Sequence, residues 1–195
     1  MKRLVLASQS PRRREILERA GLPFVVRPAS VPEERLHGES PRDYVRRLAK
    51  EKAETVLPSE GEVVLGADTV VLAGEQVLEK PCDAADARRM LRELSGREHR
   101  VLTGICLRDR EKTVVDYAST AVRFVPLSEA EIASYVESGE PMDKAGAYAI
   151  QGLASKFIES IDGCYWNVVG LPIALVYGQL KEHFGFREDH KDDCG

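Results

Sequence analysis

Apolar and polar positions recur with two different periods along this chain. Short apolar runs, Leu4-Val5-Leu6-Ala7 and Phe24-Val25-Val26, predict buried strands. Between them Ile16, Leu17 and Ala20 fall at helical spacing, after a Ser10-Pro11 start and before Gly21, which predicts a helix over 11–20. A loop from Pro28 to Pro41, rich in proline, serine and charge, leads to a helix over 42–57. Its stripe is Tyr44, Val45, Leu48, Ala49, Ala53 and Val56. Glu62 to Ala67 reads as a strand ending at Asp68-Thr69, with Val70-Val71-Leu72 available to continue it, and Gln76 to Leu78 as a further short strand. Asp83 caps a helix through Leu94 that stops at Gly96. Two longer β segments follow at 99–107 and 113–125. Ser128-Glu129-Ala130-Glu131 forms a capping box for a helix to Ser138. Residues 154–162 read as a strand, and Pro172 opens a last helix.

Strands and helices interleave, with neighbouring strands close enough in sequence for hairpins. That pattern predicts an α/β protein with a mixed, twisted sheet flanked by helices. One domain is expected over 1–186, with a polar, disordered tail over 187–195. Composition narrows the function classes. The chain has 195 residues, 43% of them hydrophobic and 31% charged, with a net charge of -4. This is ordinary for a soluble globular protein and gives no overall basic field for a long nucleic acid. Any anion site must therefore be a local basic cluster. No apolar run approaches membrane-spanning length. Cys82, Cys106, Cys164 and Cys194 are widely spaced, which argues against a zinc site and fits a reduced, cytoplasmic chain.

Several residues sit where simple patterning would not put them. Arg12, Arg13 and Arg14 crowd a helix start, where the dipole favours acids. Arginines at a frayed end often only reach into water. Arg13, however, lies three and four residues before Ile16 and Leu17, on the apolar face. An anion such as phosphate at the helix start would account for backbone N–H groups, dipole and guanidinium groups together. Lys52 falls inside the apolar stripe of the next helix, either as a long stem at the core's edge or as a cation aimed into a cleft. Asp68 and Thr69 stand where a buried strand is expected to end, the usual ligand position in open sheets. Asp68 could cap a turn, hold a divalent metal or activate a water. Pro81 biases Lys80 to an extended conformation. Glu33 lies in the Pro/Ser-rich loop, where spacing gives it little support.

The stretches LASQSPRRREIL, YVRRLAKEKA, GADTVV, LEKP, LSGREHRVLTG, GEPMDKAGAYAIQG and VVGLP follow one another over almost the whole chain. In this order they resemble the Maf family of nucleoside triphosphate pyrophosphatases. The resemblance implies a mixed α/β sheet with a deep cleft between two lobes, similar to inosine triphosphate pyrophosphatases. It implies catalytic roles for Glu33, Asp68, Lys52 and Lys80, and phosphate binding by Ser8, Ser10, Arg12 and Arg13. Arg12, Thr69 and Gln151 look like the branch acting on dTTP and UTP. A divalent cation, Mg or Mn, is implied, with Asp68 and Glu33 as its ligands, as is a homodimer.

The chemistry agrees. A triphosphate carries about four negative charges, which offset several cations. Cleavage between the α and β phosphates needs charge stabilisation and an in-line water. Acids beside the cations supply the second need. Gln151 offers a donor and an acceptor, enough to pair with part of a pyrimidine imide edge, and equally with adenine. The expected function is hydrolysis of dTTP and UTP, or modified pyrimidine nucleotides, to the monophosphate and pyrophosphate. The alternative is a non-enzymatic nucleotide or nucleic-acid binding regulator of cell division. A pure phosphate binder gains nothing from Asp68 and Glu33, since acids repel its ligand. No stable nucleic-acid complex and no membrane partner are expected.

Overall fold

Three parallel strands open the sheet. In the computed structural model, which describes residues 2–186, β1 (Arg3–Leu6) lies between β2 (Phe24–Val26) and β3 (Glu62–Ala73). β5 (Glu98–Arg108), β6 (Thr113–Phe124) and β7 (Ile158–Asp162) then extend it antiparallel, in the order β2-β1-β3-β5-β6-β7. The short β4 (Gln76–Leu78) turns back onto the far end of β3. The mixed α/β architecture anticipated from the sequence is therefore present. The tail expected over 187–195 lies outside the described residues. Among those residues no helix is long and apolar enough to cross a membrane.

Alternation along β3 sorts the core into layers. Val63, Leu65 and Ala67 point to one face, where α1 (Pro11–Arg19), α5 (Tyr165–Val169) and α6 (Ile173–Phe184) pack on them with Leu4 and Leu6. Further along the same face Val71 and Val101 belong to a separate core under α3 (Ala84–Leu94) and α4 (Glu129–Glu137). The space between these two helical caps is the cleft, so the two lobes are two cores on one sheet. Val64 and Val70 point to the other face, covered by α2 (Pro41–Glu54). Two glycines let α2 lie directly on the strands. A Cβ on Gly66 would stand 2.2 Å from the Ala49 carbonyl oxygen, and one on Gly104 2.2 Å from that of Val45.

The structure changes three expectations. β3 does not stop at Asp68-Thr69, because β5 pairs with it from Val64 to Leu72 and holds the backbone extended. What stops is its other neighbour: β1 pairs only as far as Leu6 with Leu65, and β4 begins only at Val71 with Leu78. Residues 66–70 of β3 thus have a strand partner on the β5 side alone, and Asp68 sits mid-strand beside a gap in the sheet. The strand expected over 154–162 is a strand only from Ile158; Leu153–Phe157 form a 3-10 turn. Ala154 and Phe157 are buried three residues apart, the spacing that aligns side chains in that tighter helix. The helix expected over 42–57 ends at Glu54. The short α5, with no side-chain cap and a β-branched, aromatic sequence, carried no sequence signal.

Candidate active site

The start of α1 shows why three arginines stand there. Ser10 is the extended N-cap and accepts from the Arg13 N–H at 3.5 Å. Arg13 is only 9% exposed, and its guanidinium ties three segments together. Nε donates to the Gly170 carbonyl at 2.9 Å, and the two terminal nitrogens donate to Ser8 Oγ at 3.1 Å and Thr69 Oγ1 at 3.3 Å. Ser8 Oγ also accepts from the Ser10 N–H at 3.2 Å, which shapes the loop between β1 and α1. Burial lowers the Arg13 pKa while Asp68 opposes that shift. Arg12 faces the cleft mouth, 3.4 Å from Asp143 across it. Arg14 turns away and donates to the Gln9 carbonyl.

Asp68 points to the opposite face of β3, toward α2. The Lys52 stem runs through that helix's buried stripe, so its Nζ ends 2.6 Å from Asp68 Oδ1 and 2.6 Å from Glu33 Oε1. Lys80 Nζ lies 3.7 Å from the other Glu33 oxygen. Glu33 is held in place although its loop has no regular structure. The buried Tyr44 hydroxyl lies 3.1 Å from the Glu33 carbonyl and 2.9 Å from a Glu79 carboxylate oxygen, close enough to donate to either. Burial raises the Asp68 pKa against the opposing pull of Lys52 and Arg13. Burial acts the same way on Glu33, but its bond to Lys52 and the nearby Lys52, Lys80 and Arg13 charges take it below its ordinary value. Two acids on one ammonium are thereby given different proton affinities.

The other side of the cleft is apolar. Val71, Val101, Tyr148 and Val168 wall it, with Gln151 at an exposed edge. Thr69 Oγ1 lies 3.0 Å from Thr103 Oγ1, and so belongs to the floor where the two regions meet. The cavity gathers Ser10, Arg12, Arg13, Glu33, Lys52, Asp68, Thr69, Lys80 and Gln151. Ser8 lines the adjoining compartment beneath Arg13. Sequence reasoning missed Asp143, Lys144 and Tyr148, which also line the cavity, and Tyr44, which tethers Glu33. The first three lie in a stretch of 3-10 turns without periodicity. The stretch GEPMDKAGAYAIQG was the only pointer to them. Five cations, Arg12, Arg13, Lys52, Lys80 and Lys144, face three carboxylates, Glu33, Asp68 and Asp143, leaving two positive charges on the lining.

Among the described residues no group of three or more His, Cys, Asp or Glu side chains comes together in an arrangement that could hold a metal ion. The donor set is two carboxylates, each with one oxygen on Lys52 and a second oxygen off it. That is too few for an all-protein cage. It fits a hard cation of the Mg type, which takes one or two carboxylates and completes its shell with substrate phosphates and water.

A family model described as Maf-like protein matches residues 3–183. The dTTP/UTP pyrophosphatase of Anaeromyxobacter dehalogenans strain 2CP-C is 57% identical over 183 residues, covering 92% of this chain and 93% of that relative. The dTTP/UTP pyrophosphatase of Koribacter versatilis is 51% identical over 179 residues, covering 91% of this chain and 93% of its own length. Among solved structures the Staphylococcus aureus Ham1 protein superposes with a TM-score of 0.51 at 14% identity, over 92% of this chain and 98% of that one. That likeness concerns the fold.

Proposed function

This chain belongs to the Maf-like family, and from that premise we propose that it hydrolyses dTTP and UTP to the nucleoside monophosphate and pyrophosphate. Relatives named for that activity, at 51% and 57% identity over most of both chains, support the reading. The observation that carries it is the Lys52 ammonium 2.6 Å from both Asp68 and Glu33, in a cleft whose lining also gathers Arg12, Arg13, Lys80 and Lys144.

Asp68 accepts a proton from the attacking water. Its raised pKa brings it nearer the range of an effective base at neutral pH. Lys52 holds one oxygen of each acid and so fixes where their free oxygens point. Glu33, shifted the other way, stays ionised and orients the water. Lys80, Arg12 and Lys144, with the first N–H groups of α1, bind the phosphates and stabilise the charge of the departing pyrophosphate. Arg13 keeps the loop before α1 and the floor at Thr69 in register. Asp68 and Glu33 would hold a divalent cation, Mg or Mn, which neutralises phosphate charge and acidifies bound water. A triphosphate of about four negative charges exceeds the two positive charges of the lining, a deficit such an ion removes. Arg12, Thr69 and Gln151 select the pyrimidine, with Gln151 bonding the imide edge.

We extend the reading to a cytoplasmic homodimer that forms no stable nucleic-acid complex. The net charge of -4 supports the last point, and light scattering on the eluting protein tests the dimer. Pyrophosphate release from dTTP, UTP, CTP, ATP and GTP tests the activity. Turnover of dTTP and UTP well above the other three is expected, and it should stop when EDTA removes divalent ions. Binding of these nucleotides without turnover would favour a non-enzymatic regulator instead.

A further inference from the structure

We infer that His99 is a positioning residue for base selection: its imidazole holds the Tyr148 phenol, and through it the segment that presents Gln151. This role rests on the pyrimidine-triphosphatase reading above and names what sets its selectivity. The segment needs an anchor. It runs through Gly146 and Ala147, both left-handed with φ of 68° and 58°. That conformation is strained for alanine and persists only where surroundings impose it. No strand ladder holds the residues that follow.

His99 sits inside the sheet on β5, 2% exposed. Its Nε2 lies 2.8 Å from the Tyr148 hydroxyl. Its ring meets Phe124 and Tyr148 edge-on, at centroid distances of 5.0 and 5.3 Å. Its Nδ1 has no hydrogen-bond partner among the described residues. A buried imidazole with one nitrogen unsatisfied is costly where an aliphatic side chain would pack. Its one polar contact is the phenol of a residue that lines the cavity, three positions before Gln151. Burial takes the His99 pKa down to about 4, so the ring is neutral under physiological conditions and the contact is a bond between neutral groups.

The test uses the full chain with His99→Phe, which keeps an aromatic ring and removes the bond. Values of kcat and KM are measured for dTTP, UTP and CTP. The expected result is a KM for UTP raised roughly five- to tenfold, the effect of one lost hydrogen bond. The kcat should hold within about twofold and the UTP/CTP ratio should fall. Tyr148→Phe should reproduce the defect, and the double variant should be no worse than either single one. His99→Gln, which can again bond the phenol, should restore part of the ratio. A wild-type ratio in both single variants would overturn the role, as would an equal proportional loss on every nucleotide. If His99→Phe does not fold, Tyr148→Phe decides alone, since it removes only a hydroxyl. A wild-type protein that leaves UTP and dTTP intact would instead refute the underlying activity.

Discussion

The two ends of the cleft are built by different means. At the phosphate end every charged group but Glu33, Lys80 and Lys144 hangs on a regular element: Arg12 and Arg13 on α1, Lys52 on α2, Asp68 on β3. Nine ladder pairs between β3 and β5 and the contact of α2 with Gly66 and Gly104 fix the spacing of Asp68 and Lys52. At the base end the chain passes through three 3-10 turns between Glu140 and Phe157. Individual side chains position them. Tyr135 and Glu140 bond one another at 2.8 Å and catch the Ala149 and Leu153 N–H groups, while His99 catches Tyr148. Phosphate chemistry is common to all nucleotides and tolerates no misplacement of charge, so it belongs on rigid backbone. Base choice is reached through bonds that single substitutions can retune.

If that division holds, the largest effect should come from Asp68→Asn. A general base contributes typically ~10²–10⁴ in rate, and the variant should lose that much pyrophosphate release. Its fold should not suffer. The native carboxyl has a raised pKa, so the ionised form is held at a cost above that pKa. A neutral amide removes the cost, and the melting temperature at pH 7 should be unchanged or higher. The same shift sets the pH profile of the native enzyme. Protonation of Asp68 removes the base, so kcat/KM should fall with acid on a limb lying above the ordinary aspartate range. A limb at or below that range would assign the base elsewhere.

Gly104→Ala probes the backbone support at a smaller scale. Its Cβ would meet the Val45 carbonyl at 2.2 Å, so α2 must shift. Such overpacking costs typically about 1–3 kcal/mol. The melting temperature should drop, and turnover should fall for all nucleotides by a similar factor because Lys52 moves with the helix. Full activity with normal stability would show that the close approach does not position Lys52.

The same contrast explains what could be read in advance. Ser10-Pro11, the arginines after it and Lys52 inside an apolar stripe were visible because helical periodicity says which face a side chain takes. Asp68 was noticed for a partly mistaken reason: the strand does not end there, its neighbour β1 does, and a missing neighbour leaves no mark on the strand's own sequence. Gly66 and Gly104 carry no signal until α2 is known to cross them. Glu33 had support only from the family resemblance, since what holds it is Tyr44, eleven residues away on another element. Lys144 and Tyr148 lie among turns fixed by distant partners, where no period exists to reveal them.

The division of labour between the two ends is tested most directly by the UTP/CTP ratio of kcat/KM in Lys52→Ala and in Gln151→Leu. Losing a preorganised electrostatic group costs typically ~10²–10³, and Lys52→Ala should spend that loss equally on both nucleotides, leaving the ratio at its wild-type value. Gln151→Leu should leave CTP nearly untouched and cost UTP roughly tenfold, because only the imide edge loses its partner. A ratio that shifts in Lys52→Ala, or stays fixed in Gln151→Leu, would contradict the account.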